Sequence, residues 1–205
     1  MDKKLIFITE DITMGDLETG RISSVQVYKK QMTNWLFRPA RHLAEMKGDK
    51  FNNYENGIAL FVLLLTFFES HGQYISGIDS NGKSRQIFRS GFQRFANYIT
   101  IKNKVDSCFA EFDSSKLYDW ARNGLFHNGY IKNGLLVDIT KRKKLVFYKD
   151  IRFDGWLVDP WIMLDEMESY FTEYMNILED LSNVEYADLK NNFDKTFERF
   201  YKIDI

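Results

Sequence analysis

Residues Asp113 to Gly129 read DSSKLYDWARNGLFHNG, a stretch with the start and stop signals of one helix. Asp113 or Ser114 can accept a backbone N–H at a helix start, and Asn128-Gly129 supplies a left-handed residue to end it. At about 100° per residue, Leu117, Trp120, Ala121, Gly124 and Leu125 share one side, an apolar stripe that faces a core. Arg122 and His127 are five apart, so they stand roughly 140° from each other and flank the opposite face. Asp119, Asn123 and Phe126 lie between them. Phe126, opposite the stripe, is exposed in a monomer, so this face is expected to meet something, and a second copy of the chain is the expected partner.

Asn123 and His127 are four apart, a spacing at which the amide can orient the imidazole. His127 falls in the last turn, where unpaired carbonyls favour the protonated ring. An imidazole near neutrality beside a guanidinium can move a proton while the arginine holds a phosphate, which is ribonuclease-type equipment. The plain structural alternative is a solvated helix face with a C-terminal cap.

The segment Arg122-Asn123-Gly124-Leu125-Phe126-His127, an R-polar-x-x-x-H pattern near a helix end in a helical chain, resembles the HEPN family of helical domains. A long apolar helix precedes it and an amphipathic helix follows, and by helix order the resemblance covers roughly residues 23–181. The resemblance implies a symmetric homodimer whose two R-x4-H motifs meet in one cleft and cut RNA without metal or cofactor, with the 2′-hydroxyl as nucleophile. On that pattern Arg122 binds the scissile phosphate, His127 is the general acid or base, and Asn123 positions the ring. Some members add an acidic residue from the preceding long helix, and Glu69 is the candidate here. Members of this build act as toxins with a cognate antitoxin protein or as phage-defence effectors, whereas others are inactive modules that bind RNA, a nucleotide or a protein partner.

At 205 residues the chain suits one domain with a substantial core, and 44% hydrophobic and 16% aromatic residues place it among ordinary globular proteins. The single cysteine, Cys108, excludes an internal disulfide and a cysteine-based metal site, so a reducing cytoplasm is the expected location. The start, MDKKLIFITED, has too short an apolar run for a signal peptide. The net charge of −1 divides unevenly: residues 83–152 hold 15 Lys and Arg against 6 Asp and Glu, or +9, and the remainder holds 13 against 23, or −10. The motif thus lies in the basic third of the chain. That block either attracts an RNA backbone or is neutralised by the acidic faces of the same fold or a partner.

Leu5 to Thr9 reads as a short edge strand followed by an acidic loop to Gly20. From Ser23 to about Met46 the pattern is helical, with Pro39 kinking it or starting a second segment, and His42 structural. Tyr54 to about Tyr74 is the hydrophobic centre. Its run from Ile58 to Phe68 is apolar apart from Thr66, about half of the roughly 20 residues a membrane span needs, so it reads as a helix buried nearly all round and no membrane association is expected. Glu69, where this helix leaves the core, is either a partner for Arg122 or a solvated end residue, with the solvated end as the default.

Gly77-Ile78-Asp79-Ser80-Asn81-Gly82-Lys83-Ser84 matches the phosphate-loop pattern G-x4-G-K-S. That loop needs a strand leading in so that its N–H groups converge on phosphates; here a helix leads in, so the stretch reads as an inter-helix loop. An ATPase is the third and least supported function. A helix from Arg85 to about Thr100 carries Arg85, Arg89 and Arg94 on its outer side, where solvation is the default and RNA contact the alternative. A short helical piece is expected around Val105 to Phe112.

Beyond Gly129, Leu135 to Thr140 and Leu145 to Tyr148 alternate as a β-hairpin with Lys141, Arg142, Lys143 and Lys144 at its tip. Those four cations either contact RNA or protect the hairpin edge from aggregation. Asp159-Pro160 starts a helix to about Leu181 with Trp161, Leu164, Met167, Phe171, Tyr174 and Leu178 apolar and its other face acidic. A last helix spans about Val184 to Tyr201 and packs on the bundle or on a dimer partner. The expected fold is therefore mainly α, a single-domain bundle of five to six helices with a small β-hairpin. No metal site is expected from His42, His71 and His127, which lack carboxylates at ligand spacing.

Overall fold

The computed structural model describes residues 7–46, 50–103, 112, 114–131, 134–138, 146–150, 155–180 and 186–201. The fold is a mainly α-helical bundle with small strand elements. Helix α4 (Lys50–Ser76) is its axis, and Leu60, Phe61, Leu64, Leu65, Phe67 and Phe68 are all buried. By length and composition Tyr54–Ser76 would suffice to cross a bilayer, but half of its most apolar window is buried inside this fold. Helices α3 (Arg38–Glu45), α5 (Ser84–Asn103), α7 (Pro160–Glu179) and α8 (Ala187–Tyr201) pack around it. The last helix therefore docks on the bundle, where Phe193 and Phe197 are buried.

Helices α4 and α5 touch backbone to backbone. A methyl group on Gly91 would stand 2.1 Å from the Phe68 carbonyl oxygen, and one on Gly72 would stand 2.1 Å from that of Ile87. Only hydrogen fits at either position. The close approach lets Phe68 insert among Phe88, Phe92 and Phe95, with ring centroids 5.5, 5.2 and 5.5 Å away.

Helix α2 (Ser24–Met32) starts at a capping box in which Ser23 and Gln26 satisfy each other's backbone N–H. It runs into α3 through a π-helical turn, Thr33–Phe37, and Pro39 stands in the first turn of α3, so the second segment expected at the proline begins there and is joined to α2 by the π turn. Proline lacks the N–H of a regular turn and presses on the preceding one; widening that turn relieves the clash. Helix α7 begins where Asp159 accepts the Trp161 and Ile162 N–H groups, both at 3.0 Å, and Pro160 occupies the first turn. Its acidic face is paired within the fold: Arg41 binds Asp165 and Glu168, Lys29 binds Glu179, and Lys102 binds Glu166. Of these pairs only Lys102–Glu166 joins the basic block of residues 83–152 to the acidic remainder.

Two strand regions differ from expectation. After β1 (Phe7–Thr9) the chain turns back as β2 (Ile12–Thr13), and residues expected as an acidic loop form α1 (Met14–Glu18). Thr13 and Asp16 cap that helix reciprocally, which is what winds the stretch. The second sheet has three strands in the order β3 (Leu135–Val137), β5 (Gly155–Val158), β4 (Phe147–Asp150). The expected hairpin between β3 and β4 does not form. Strand β5 lies between them, parallel to β3 and antiparallel to β4, so the hairpin joins β4 to β5. Trp156 drives that insertion: it is buried with Phe112 and Phe147, at 5.0 Å from Phe112, and Phe112 stacks on Phe147 at 4.5 Å. The tip Lys141–Lys144 and most of the segment from Val105 to Phe112 lie outside the described residues.

Candidate active site

The motif helix starts as α6 (Ser114–Leu117) and continues without a break through two π-helical turns, Tyr118–Arg122 and Gly124–Asn128. The Asn123 N–H donates to the Tyr118 carbonyl, and the Gly129 N–H to the carbonyls of Gly124 and Leu125. Gly129 ends the helix at φ +72°, the left-handed conformation expected of it. Leu117, Ala121 and Gly124 are buried, and Trp120 and Leu125 pack against the core, so the expected apolar stripe faces inward.

The winding changes the polar face. Bonds from residue i to i+5 wind each turn more widely than in a regular helix, so positions five apart lie closer to one face. Arg122 and His127 are such a pair, and the expected angle of roughly 140° does not apply to them. Asn123 is half-buried and His127 exposed, and among the described residues neither side chain has a hydrogen-bond partner, so Asn123 does not orient the imidazole in this chain alone.

Arg122 is held from three sides. Its Nη2 lies 3.0 Å from Glu69 Oε2, with the two side chains only 24% and 19% exposed. Its guanidinium also stands 5.4 Å from the ring centroids of both Tyr118 and Phe126. Glu69 is therefore the partner of Arg122 and not a solvated helix end. The reason is placement: the motif helix crosses α4 where Glu69 emerges, and a half-buried guanidinium is stabilised by the nearest carboxylate. Tyr118 escaped the sequence reading. It sits outside the regular 100° stripe, yet it is buried edge-on against Phe88 at 5.3 Å and forms the platform under Arg122. The i, i+4 spacing of Tyr118, Arg122 and Phe126 was the available signal. Phe126 is 47% exposed, as its position implied.

Lys83, just before α5, and Arg85 and Arg89 on it form a basic edge beside this helix. Arg85 pairs with Asp119, and the Arg89 Nε lies 3.4 Å from the Ser114 hydroxyl. The G-x4-G-K-S segment follows the end of α4, as expected of an inter-helix loop. Its amides are engaged locally: the Ser80 N–H donates to Gln73 Oε1 at 3.2 Å and the Lys83 N–H to the Ser80 carbonyl at 2.8 Å. Among the described residues no three His, Cys, Asp or Glu side chains converge as a metal site.

Comparison of the chain with protein-family models, with curated proteins and with solved structures finds no match. A positioned guanidinium can neutralise a phosphate, and a solvent-accessible imidazole on the same helix can transfer a proton.

Proposed function

We propose that the chain is a metal-independent endoribonuclease of HEPN type, with Arg122 and His127 from two copies forming one composite site, acting as a toxin or phage-defence effector in the cytoplasm. The observation that carries the reading is the constellation on the π-wound helix: Arg122 fixed by Glu69 and by the Tyr118 and Phe126 rings, with His127 exposed five residues further on. In the reaction the 2′-hydroxyl oxygen of RNA attacks the adjacent phosphorus while its proton passes to a neutral imidazole. The P–O5′ bond breaks, the leaving oxygen takes a proton from a protonated imidazole, and a cyclic phosphate remains. Two histidines, one from each copy, supply the base and the acid. Arg122 neutralises the charge that builds on the phosphate oxygens.

A second reading, a catalytically silent module that binds RNA, a nucleotide or a protein through the same face, is favoured by one detail. His127 has no described partner to fix its tautomer, and a general base ordinarily has one. Incubation of the purified protein with a labelled structured RNA in EDTA separates the two. Cleavage by the wild type that leaves a cyclic phosphate and is lost in His127→Ala and Arg122→Ala supports the enzyme. Cleavage that survives His127→Ala overturns it, and binding without cleavage favours the module.

A further inference from the structure

Helices α5 and α7 enclose a cleft of about 420 Å³ that the site above does not use. Tyr170 and Tyr174, 4% and 1% exposed, form its floor; Tyr98, whose ring centroid lies 5.3 Å from that of Tyr170, and the half-buried Tyr186 and Ile177 stand at its sides. Rings of this kind offer flat apolar faces with polar tips, and the volume falls in the range of small-molecule sites. The inner wall is built. The Tyr170 hydroxyl lies 2.6 Å from His71 Nε2, and Tyr174 is 1% exposed with a hydroxyl that has no hydrogen-bond partner among the described residues.

The charges lining the cleft are unequal. Lys102 is matched by Glu166 at 2.9 Å and lies over the Tyr98 ring. Glu173 stands exposed at the rim, where water screens it. Arg94 is half-buried next to Tyr170 and has no carboxylate partner among the described residues. A guanidinium withdrawn from water without a counter-ion is costly, and an anionic group entering the cleft would offset that cost.

We infer that this cleft binds a small planar aromatic molecule bearing one anionic group, the ring lying against the accessible Tyr98 and Tyr186 above the Tyr170–Tyr174 floor and the anion meeting Arg94. The assignment is independent of RNA cleavage, since Arg122 and His127 do not line the cleft. The anion can be a carboxylate or a phosphate, and two probes distinguish these sources.

The test is calorimetric titration of the full chain with indole-3-acetate, with guanosine 5′-monophosphate, and with the uncharged analogue tryptophol. Saturable one-to-one binding of at least one anion is expected, with a Kd below about 1 mM and tryptophol at least tenfold weaker. Arg94→Gln should erase that preference. Ile177→Trp, which fills the margin from a half-buried position, should block binding while the circular dichroism spectrum and melting temperature stay close to wild type. Absence of saturable binding by either anion overturns the inference. So does equal affinity for tryptophol, or binding unaltered in both variants.

Discussion

The Glu69 carboxylate of α4 holds the Arg122 guanidinium at 3.0 Å across 53 residues of chain, and it ties the motif helix to the central helix of the bundle. Because both side chains are largely shielded, their interaction should exceed the few tenths of a kcal/mol of a fully exposed pair. A double-mutant cycle of Glu69→Gln and Arg122→Gln, read by urea unfolding, should give a coupling of about 1 kcal/mol. Strict additivity would mean that the pair does not position the helix.

The His71 ring predicts an acid-sensitive core. It is fully buried, stacked on Phe67 with centroids 4.6 Å apart, and its Nδ1 has no partner among the described residues. Burial, with a smaller contribution from Arg94, pushes its pKa down from 6.5 to about 3. Between those two values the unfolded chain takes up a proton that the folded chain refuses. Stability is therefore unaffected by this group above pH 6.5, falls as pH drops below it, and levels off under about 3. The slope attributable to His71 approaches roughly 1.4 kcal/mol per pH unit. The difference between wild type and His71→Gln in unfolding free energy, followed from pH 7 to 4, should show that slope.

The contact of α4 with α5 predicts an uneven response to glycine substitution. Gly91→Ala places a methyl group 2.1 Å from a backbone oxygen, which only a shift of one helix can relieve. Overpacking of this kind should cost about 3 kcal/mol and lower the melting temperature by roughly 6–12 °C. Gly20→Ala is the control. That glycine has φ +69° but open space around it, so the cost should be only about 1 kcal/mol of backbone strain.

Where a local rule suffices, the sequence was readable. Asp159-Pro160 starts α7 because a carboxylate and a proline each suit a first turn, and Leu117, Ala121 and Gly124 turn inward because their spacing leaves no other side for a core. What was missed depends on tertiary contact. The π turns of the motif helix carry no residue signature, and with them went the burial of Tyr118 and the relation of Arg122 to His127. Strand β5 is only four residues long and abuts Asp159-Pro160, so Gly155–Val158 reads as a lead-in to the helix until Trp156 is seen against Phe112. Glu69 could pair or dissolve, and only the crossing of two helices distant in sequence decides between them.

Phe126 supplies the sharpest test of the shared site. Its ring is 47% exposed and lies beside Arg122, on the face where a second copy would bring its own Arg122 and His127. An exposed ring contributes little to the fold of one chain, so Phe126→Glu should leave the melting temperature within a few degrees of wild type. At an interface the same change buries a carboxylate against an apolar surface, which is expensive without a partner. Sedimentation should therefore show a wild-type dimer and a Phe126→Glu monomer, and RNA cleavage should fall at least a hundredfold in step with dissociation. Mixing Phe126→Glu with an Arg122→Ala, His127→Ala chain should not restore cleavage, because the altered face cannot dock. A wild-type chain that is monomeric at all concentrations yet cleaves RNA would remove the second copy from the mechanism and place both proton transfers on a single His127.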